Sequence, residues 1–213
     1  MCFSAAASFG ASVLLAGIGT VSVKKAKTIP QNVFAVIPFI FCVQQFAEGF
    51  LWLSLTNENF AFIKIPATYF FLIFALVVWP VWITLSITLL ENKTIRKWIL
   101  RFLLVSVIIL SLILSLFLLV YPVEAKSIGN HIMYSIGSPQ LFKSLTNILY
   151  FFTAVFPPFI SSIKKSWWIG ITLIVSYILT RIFYADYIIS VWCYFATIIS
   201  VLVLMIILES NKE

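Results

Sequence analysis

Long apolar segments separated by short polar connections dominate the chain. A helix needs about 20 mostly apolar residues to cross the roughly 30 Å hydrocarbon layer of a bilayer. Seven segments meet that requirement and predict spans at about residues 3–22, 30–54, 62–90, 97–121, 141–162, 166–184 and 186–209. The pattern therefore predicts an all-α fold, a seven-transmembrane-helix bundle that forms a single integral membrane domain over residues 1–213.

Proline is expected to distort two of the predicted spans, and one connection is long. Pro80 lies in the overlong third span, and Pro157 and Pro158 lie in the fifth. Proline removes a backbone donor, which a membrane helix tolerates when neighbouring helices satisfy the freed carbonyl. We therefore expect a tilt or kink at Pro80 and a bend at the proline pair. The longest connection, about residues 122–140, is expected to hold a short interfacial helix or a loop folded back over the bundle.

Composition agrees with the apolar pattern. Apolar residues make up 62% of the chain and charged residues 10%, whereas soluble domains are about half apolar and about a quarter charged. A large water-soluble domain is therefore excluded. The net charge of +7 does not indicate a nucleic-acid partner, because the basic residues sit at the ends of apolar runs rather than in an exposed stripe. The expected partner is the lipid bilayer, and no protein partner is identified.

Basic residues are divided unequally between the two sides of the predicted bundle. The positive-inside rule places Lys- and Arg-rich short loops in the cytoplasm. The N-terminus is therefore predicted to face out and the C-terminus in. No basic residue precedes the first span, so it is interpreted as a retained helix and not a signal peptide. The residues that determine this orientation are Lys24, Lys25, Lys27, Lys93, Arg96, Lys97, Arg101, Lys164, Lys165 and Lys212.

Glu48 is the most unusual residue of the predicted spans. It lies about two turns from the outer end of the second span, with Gln44, Gln45 and Trp52 on or near the same helical face. A carboxylate facing lipid costs several kcal/mol, so this face is predicted to point into the bundle. Glu48 is either a functional acid or a structural residue, which would be a clamp between helices or simply a protonated carboxyl group.

Other chemically capable residues project to the same outer half. His131 lies in the long connection, where the alternative to a function is a solvated loop histidine. Arg181, near the outer end of the sixth span, either pairs with a carboxylate or extends to the interface. Cys193 lies at nearly the depth of Glu48, and Cys2 begins the first span on the outside. For Cys2 the alternative is a small interfacial side chain.

Several short motifs resemble an uncharacterised family of bacterial multi-pass membrane proteins. They are Met1-Cys-Phe-Ser-Ala5, Gln45-Phe-Ala-Glu48 with Trp52, His131-Ile-Met-Tyr134 and Ser190-Val-Trp-Cys193. The resemblance implies a bacterial inner membrane but supplies no activity. It also implies a shared constellation, which consists of Cys2, Gln45, Glu48, Trp52, His131, Tyr134, Trp192 and Cys193.

Three classes of function follow. The favoured one is a pocket in the outer half that binds a small amphiphilic or lipid-like ligand, with few polar groups in a mostly apolar wall. Its expected ligand-binding residues are Gln45, Glu48, Trp52, His131, Tyr134, Arg181, Trp192 and Cys193.

The alternative is a membrane-embedded hydrolase or transferase acting on a lipid at that site. Its catalytic residues would be Glu48, His131, Cys2 and Cys193, since acid, base and nucleophile must lie within reach of each other. A transporter is less favoured because no inverted repeat is visible. No metal site is predicted, since Cys, His and Glu are scattered over four segments, and no cofactor is identified.

Overall fold

The computed structural model describes residues 4–211, apart from the side chains of Lys143, Cys193, Tyr194 and Ala196. The described residues are 82% helical. The helices are α1 (Ala5–Lys25), α2 (Ile29–Ala35), α3 (Ile37–Thr56), α4 (Lys64–Ile73), α5 (Trp79–Leu90), α6 (Thr94–Val120), α7 (Gln140–Ile160), α8 (Ser166–Phe183), α9 (Ile188–Tyr194) and α10 (Ala196–Ser210). Two strands, β1 (Val123–Ile128) and β2 (His131–Ile136), join α6 to α7.

Six helical segments of the described chain are long and apolar enough to cross a membrane. They are Ala5–Lys25, Ile29–Thr56, Glu58–Leu90, Thr94–Val120, Ser166–Phe183 and Ala185–Ser210. The fifth predicted span forms α7, which has 21 residues but is not among these six. Polar residues such as Gln140 and Asn147 in its first half lower its hydropathy. The helix content and these six segments are those of an all-α membrane protein.

The connection between α6 and α7 is an antiparallel β-hairpin, so the expectation of an interfacial helix is wrong. The strands pair from Val123 opposite Ile136 to Ile128 opposite His131. Gly129, with φ of +59°, begins the two-residue turn, where a type II′ turn requires a positive φ. The hairpin does fold back onto the bundle, because Ala125 of β1 and Ile132 of β2 pack with Leu51 and Trp52 of α3.

The helix that contains Pro80 changes its hydrogen-bonding pattern just before that residue. Phe74–Val78 form a π-helical turn between α4 and α5. A neighbouring helix supplies a donor there, because Tyr150 Oη of α7 donates to the carbonyl of Ala75 over 2.6 Å. The expected disturbance at Pro80 therefore takes the form of a π turn supported by another helix.

Polar contacts join the connections that carry most of the basic residues, at what we call the basic end of the bundle. The ends of α1, α2, α8 and α10 meet there, together with the turns α5–α6 and α7–α8. The opposite end, called the hairpin end, carries β1 and β2 packed on α3 and α4. The contacts at the basic end are Asn211 with Lys25, Gln31 with Ser210, Lys165 with Glu209, and Ser161 and Ser162 with Glu91.

Between the two ends lies a core of large apolar side chains. Phe34 and Phe41 of the second span pack with Trp79 and Ile83 of α5 and with residues of α8 and α10. Trp79 and Phe41 have ring centroids 4.2 Å apart. This core fixes α3 and α10 against α5, and Glu48, which follows Phe41 along α3, lies between the core and the hairpin end.

Candidate functional site

Glu48 lies on the buried face of α3. Its side chain is 0% exposed, and Gln44, Gln45 and Trp52 on the same face are at most 3% exposed. The prediction that this face points into the protein is therefore confirmed. Glu48 Oε1 accepts a hydrogen bond from Ser190 Oγ over 2.6 Å. Its Oε2 accepts one from Gln45 Nε2 over 3.2 Å, so the carboxyl group joins α3 to α9.

Trp52 and Tyr134 lie closer to the hairpin end. Trp52, one turn after Glu48, packs with Ala125 and Ile132 of the hairpin. Its Nε1 is buried and has no hydrogen-bond acceptor among the described residues. The Tyr134 ring stacks on Phe71 with centroids 4.9 Å apart and planes 4° apart. Both aromatic residues therefore anchor the hairpin to the helices beneath it.

His131 is partly buried and contacts two tyrosine rings, so it is not a solvated loop residue. It begins β2, and its ring stacks on Tyr187 with centroids 4.7 Å apart. The Tyr184 ring lies 5.1 Å away at a steeper angle. Burial lowers the pKa of His131 below its ordinary range. The histidine thus ties the hairpin tip to the short turn that precedes α9.

A cavity of about 500 Å³ opens beside this turn, between α7, α8 and α9. Three of the predicted site residues, Tyr134, Arg181 and Trp192, line it. Trp192 is fixed by donating its Nε1 to Ser176 Oγ over 2.9 Å. Its ring lies 5.3 Å from that of Tyr177 and 5.8 Å from that of Tyr150, both of which also line the cavity.

The cavity is polar at its outer end and apolar at its inner end. From Gln140 to Phe151, α7 accompanies it for roughly 16 Å at 1.5 Å per residue. The outer residues, nearest the hairpin end, are Gln140, Ser144, Arg181, Asp186 and Tyr187. The inner residues include Leu76, Leu114, Phe151 and Trp192. An arrangement with polar groups near the hairpin end and apolar side chains farther from it is suited to an amphiphile.

Four of the predicted residues lie outside the cavity lining, and the side chains of two others are not described. Gln45, Glu48, Trp52 and His131 do not line the cavity, although Glu48 holds Ser190 of α9 and His131 stacks on a lining tyrosine. Cys2 lies outside the described residues, as does the side chain of Cys193, whose backbone belongs to α9. The described members of the predicted set are therefore divided between the cavity lining and residues packed against α9, Tyr187 or the hairpin.

Sequence reasoning missed two groups of residues. The first is the polar face of α7, where Gln140, Ser144 and Asn147 line the cavity. Their spacing of four and three residues places them on one helical face, and this signal was available in the fifth span.

The second missed group surrounds Glu91, at the basic end. Glu91 is 0% exposed, and its carboxylate accepts hydrogen bonds from Ser161 Oγ, Ser162 Oγ and the backbone N–H groups of Ser162 and Lys93. Burial alone would raise the pKa of Glu91, but these hydrogen bonds outweigh it and lower the pKa. An acid in a short basic turn resembles a solvated residue, so no local pattern distinguishes it.

Among the described residues, no group of three or more His, Cys, Asp or Glu side chains is placed to hold a metal ion. Several kinds of polar and aromatic group line the cavity. They are one guanidinium, one carboxylate, two amides, two aliphatic hydroxyls, four phenols and an indole. These groups can bind a polar head group and cover an apolar chain.

The fold and the cavity together define a helical membrane protein with an amphiphilic cavity between three of its helices. The chain belongs to the family of unknown function DUF6629, whose model matches residues 1–213. Membership in an uncharacterised family, expected from the motifs, is thereby confirmed. No curated protein and no solved structure matches the chain.

Proposed function

We propose that the protein is a seven-helix protein of the bacterial inner membrane that binds a small amphiphilic or lipid-like ligand at the hairpin end. In this proposal α7 is the seventh crossing, in addition to the six helical segments named above. It runs from the hairpin to the turn held by Glu91, which are at opposite ends of the bundle. The hairpin end faces the periplasm because the basic connections lie at the other end.

The observation that carries the proposal is the polarity gradient of the cavity. Arg181 and Asp186 lie on the side of the cavity nearer the hairpin end, while Leu114, Phe151 and Trp192 lie farther from that end. A volume of about 500 Å³ is in the range of small-molecule sites, which run from about 300 to 1,000 Å³. A head group at the interface and an apolar tail inside would use both parts of the cavity.

In this proposal the predicted residues behind α9 position the cavity wall. Glu48 binds Ser190, and Ile189 and Trp192, its neighbours on α9, line the cavity. His131 supports Tyr187, another lining residue. Glu48 is then a clamp between helices, one of the two roles that the sequence left open.

A membrane-embedded hydrolase or transferase is the second candidate. The short hydrogen bond between Ser190 and Glu48 is the feature that favours it, since a hydroxyl beside a carboxylate is an arrangement used in nucleophilic catalysis. However, Glu48 does not line the cavity, and a reacting group must reach its substrate. Ligand binding is therefore better supported, and no observation favours a transporter.

The experiment fills the cavity and measures what the purified protein carries. Ser144→Trp places an indole among the outer lining residues, and Ser106→Trp on α6 is the matched control because Ser106 does not line the cavity. Protein extracted in a mild detergent is examined by native mass spectrometry for bound lipid. We expect a stoichiometric lipid on the wild type and on Ser106→Trp, and its loss from Ser144→Trp. Equal lipid content in all three proteins would overturn the proposal.

A further inference from the structure

Arg181 and Asp186 provide opposite charges at the outer part of the cavity. Neither forms an ion pair with the other or with any other described residue. Two other acids of the described chain do form ion pairs. Glu124 pairs with Lys126 over 2.9 Å, and Glu209 pairs with Lys165 over 2.9 Å. Two opposite charges that share a cavity and remain separate are complementary to a ligand that carries both signs.

The two charged residues belong to different backbone elements. Arg181 lies in the last turn of α8, which ends at Phe183. The Tyr184 N–H still bonds the carbonyl of Thr180 over 2.8 Å, and the Tyr187 N–H bonds the carbonyl of Tyr184 over 2.9 Å. Asp186 therefore belongs to the separate 3-10 turn Ala185–Tyr187. The ring of His131 in β2 stacks on Tyr187 and so holds this turn against the hairpin.

On the basis of the proposed lipid-like ligand, we infer that the head group is a zwitterion of the phosphoethanolamine type. The phosphate binds the guanidinium of Arg181, whose planar set of donors matches phosphate oxygens. The primary ammonium binds the carboxylate of Asp186, with the Tyr187 ring available for a cation–π contact. The acyl chain lies along Leu76, Leu114 and Phe151.

Other common head groups fit this pair of charges less well. A phosphoglycerol head group has a phosphate for Arg181 but nothing positive for Asp186, which would face an anion. A phosphocholine head group carries a positive charge, but its quaternary nitrogen has no N–H to donate to the carboxylate. Selectivity therefore depends on Asp186, whereas Arg181 contributes to the binding of every phospholipid.

The test compares lipids that share acyl chains and differ only in head group. The full-length protein is equilibrated with an equimolar mixture of phosphatidylethanolamine, phosphatidylcholine and phosphatidylglycerol, and bound lipid is identified by native mass spectrometry. We expect the wild type to enrich phosphatidylethanolamine by about threefold to tenfold, the range for one hydrogen-bonded charge near water. Asp186→Asn should retain lipid but lose the preference. Arg181→Gln should lose bound phospholipid of all three kinds, and Arg181→Lys should retain part of it.

Glu124→Gln is the matched control, since it removes a carboxylate at the same end of the molecule but outside this cavity. It should keep the wild-type preference. A wild type that takes up the three lipids equally, or an Asp186→Asn variant that still selects phosphatidylethanolamine, would overturn this inference. Lipid retained without selectivity leaves the proposed ligand-binding function intact, whereas failure of Ser144→Trp to displace lipid removes that function itself. Soluble phosphoethanolamine serves as a competitor, and displacement by it at the concentration of the lipid would contradict a lipid ligand.

Discussion

Glu48 and Glu91 are both 0% exposed, but they lie at opposite ends of the bundle and differ in the kind of donors that surround them. Glu48 is bound by the side chains of Ser190 and Gln45, which can rotate. Glu91 is bound by two hydroxyl groups and also by the backbone N–H groups of Ser162 and Lys93, whose directions are set by the chain.

The difference determines what each site can tolerate. Rotatable donors can adapt to an amide or a neutral carboxyl group, because hydroxyl and amide groups both donate and accept. Backbone N–H groups can only donate, so they require an acceptor at both oxygens of residue 91. We therefore expect substitution of Glu91 by an amide to destabilise the protein more than the same substitution of Glu48, although Glu48 is the one inside an apolar helix.

The largest expected effect comes from Glu91→Gln. Its amide would turn an NH₂ group toward backbone donors on one side, and a buried donor left unpaired costs about 1–3 kcal/mol, or more beside charged groups. We expect a loss of about 2–4 kcal/mol in the free energy of unfolding, measured by titration with a denaturing detergent in mixed micelles. Glu58→Gln, at an exposed position, should change it little. A loss in the free energy of unfolding at residue 91 no larger than that at residue 58 would contradict the structural role assigned to the Glu91 carboxylate.

The sequence predicted the helices well for a physical reason. A span must be apolar along its whole length, so the predicted 166–184 closely matches Ser166–Phe183. The burial of Glu48 followed from the cost of exposing a carboxylate to lipid. Both inferences rest on one local property, the free energy of transfer into hydrocarbon, which can be read residue by residue.

The cavity and the Glu91 site depend instead on contacts between distant segments. Ser162 is 71 positions from Glu91, and the residues around Glu91 do not indicate that these serines will contact it. The hairpin was missed because Val123–Ile128 contains Glu, Ala and Lys, residues that are depleted in strands, so its composition does not signal one. The polar face of α7 joins Arg181 and Asp186 in one cavity only when α7 packs against α8 and α9, and the apolar pattern does not determine that packing.

The second prediction concerns pH and separates Glu91 from the other acids. Hydrogen bonds lower the folded-state pKa of Glu91 below the ordinary value of 4.5. Folding therefore favours its ionised form, so its contribution to stability is present above pH 4.5 and is lost as the pH falls through the folded-state value. We expect wild-type stability to decrease below about pH 4.5 and the difference from Glu91→Gln to shrink over the same range. Parallel curves for the two proteins would show that Glu91 does not carry this pH dependence.

The smallest effect is expected for Glu48→Gln. An amide oxygen at residue 48 can still accept from Ser190 Oγ. The new NH₂ group can donate to Gln45 if that amide turns over, because Gln45 Oε1 is buried and has no donor among the described residues. The substitution should therefore change the free energy of unfolding by less than about 1 kcal/mol.

Glu48→Ala is the informative comparison at this position. It removes the carboxylate that Ser190 Oγ and Gln45 Nε2 contact and opens a void between α3 and α9, so we expect a loss of about 2–3 kcal/mol in the free energy of unfolding. Because Ser190 adjoins residues that line the cavity, the alanine variant should also lose bound lipid, whereas the glutamine variant should keep it. If Glu48→Gln proved as damaging as Glu48→Ala, the carboxylate itself would be required. The contrast with Glu91, between rotatable and fixed donors, would then be wrong.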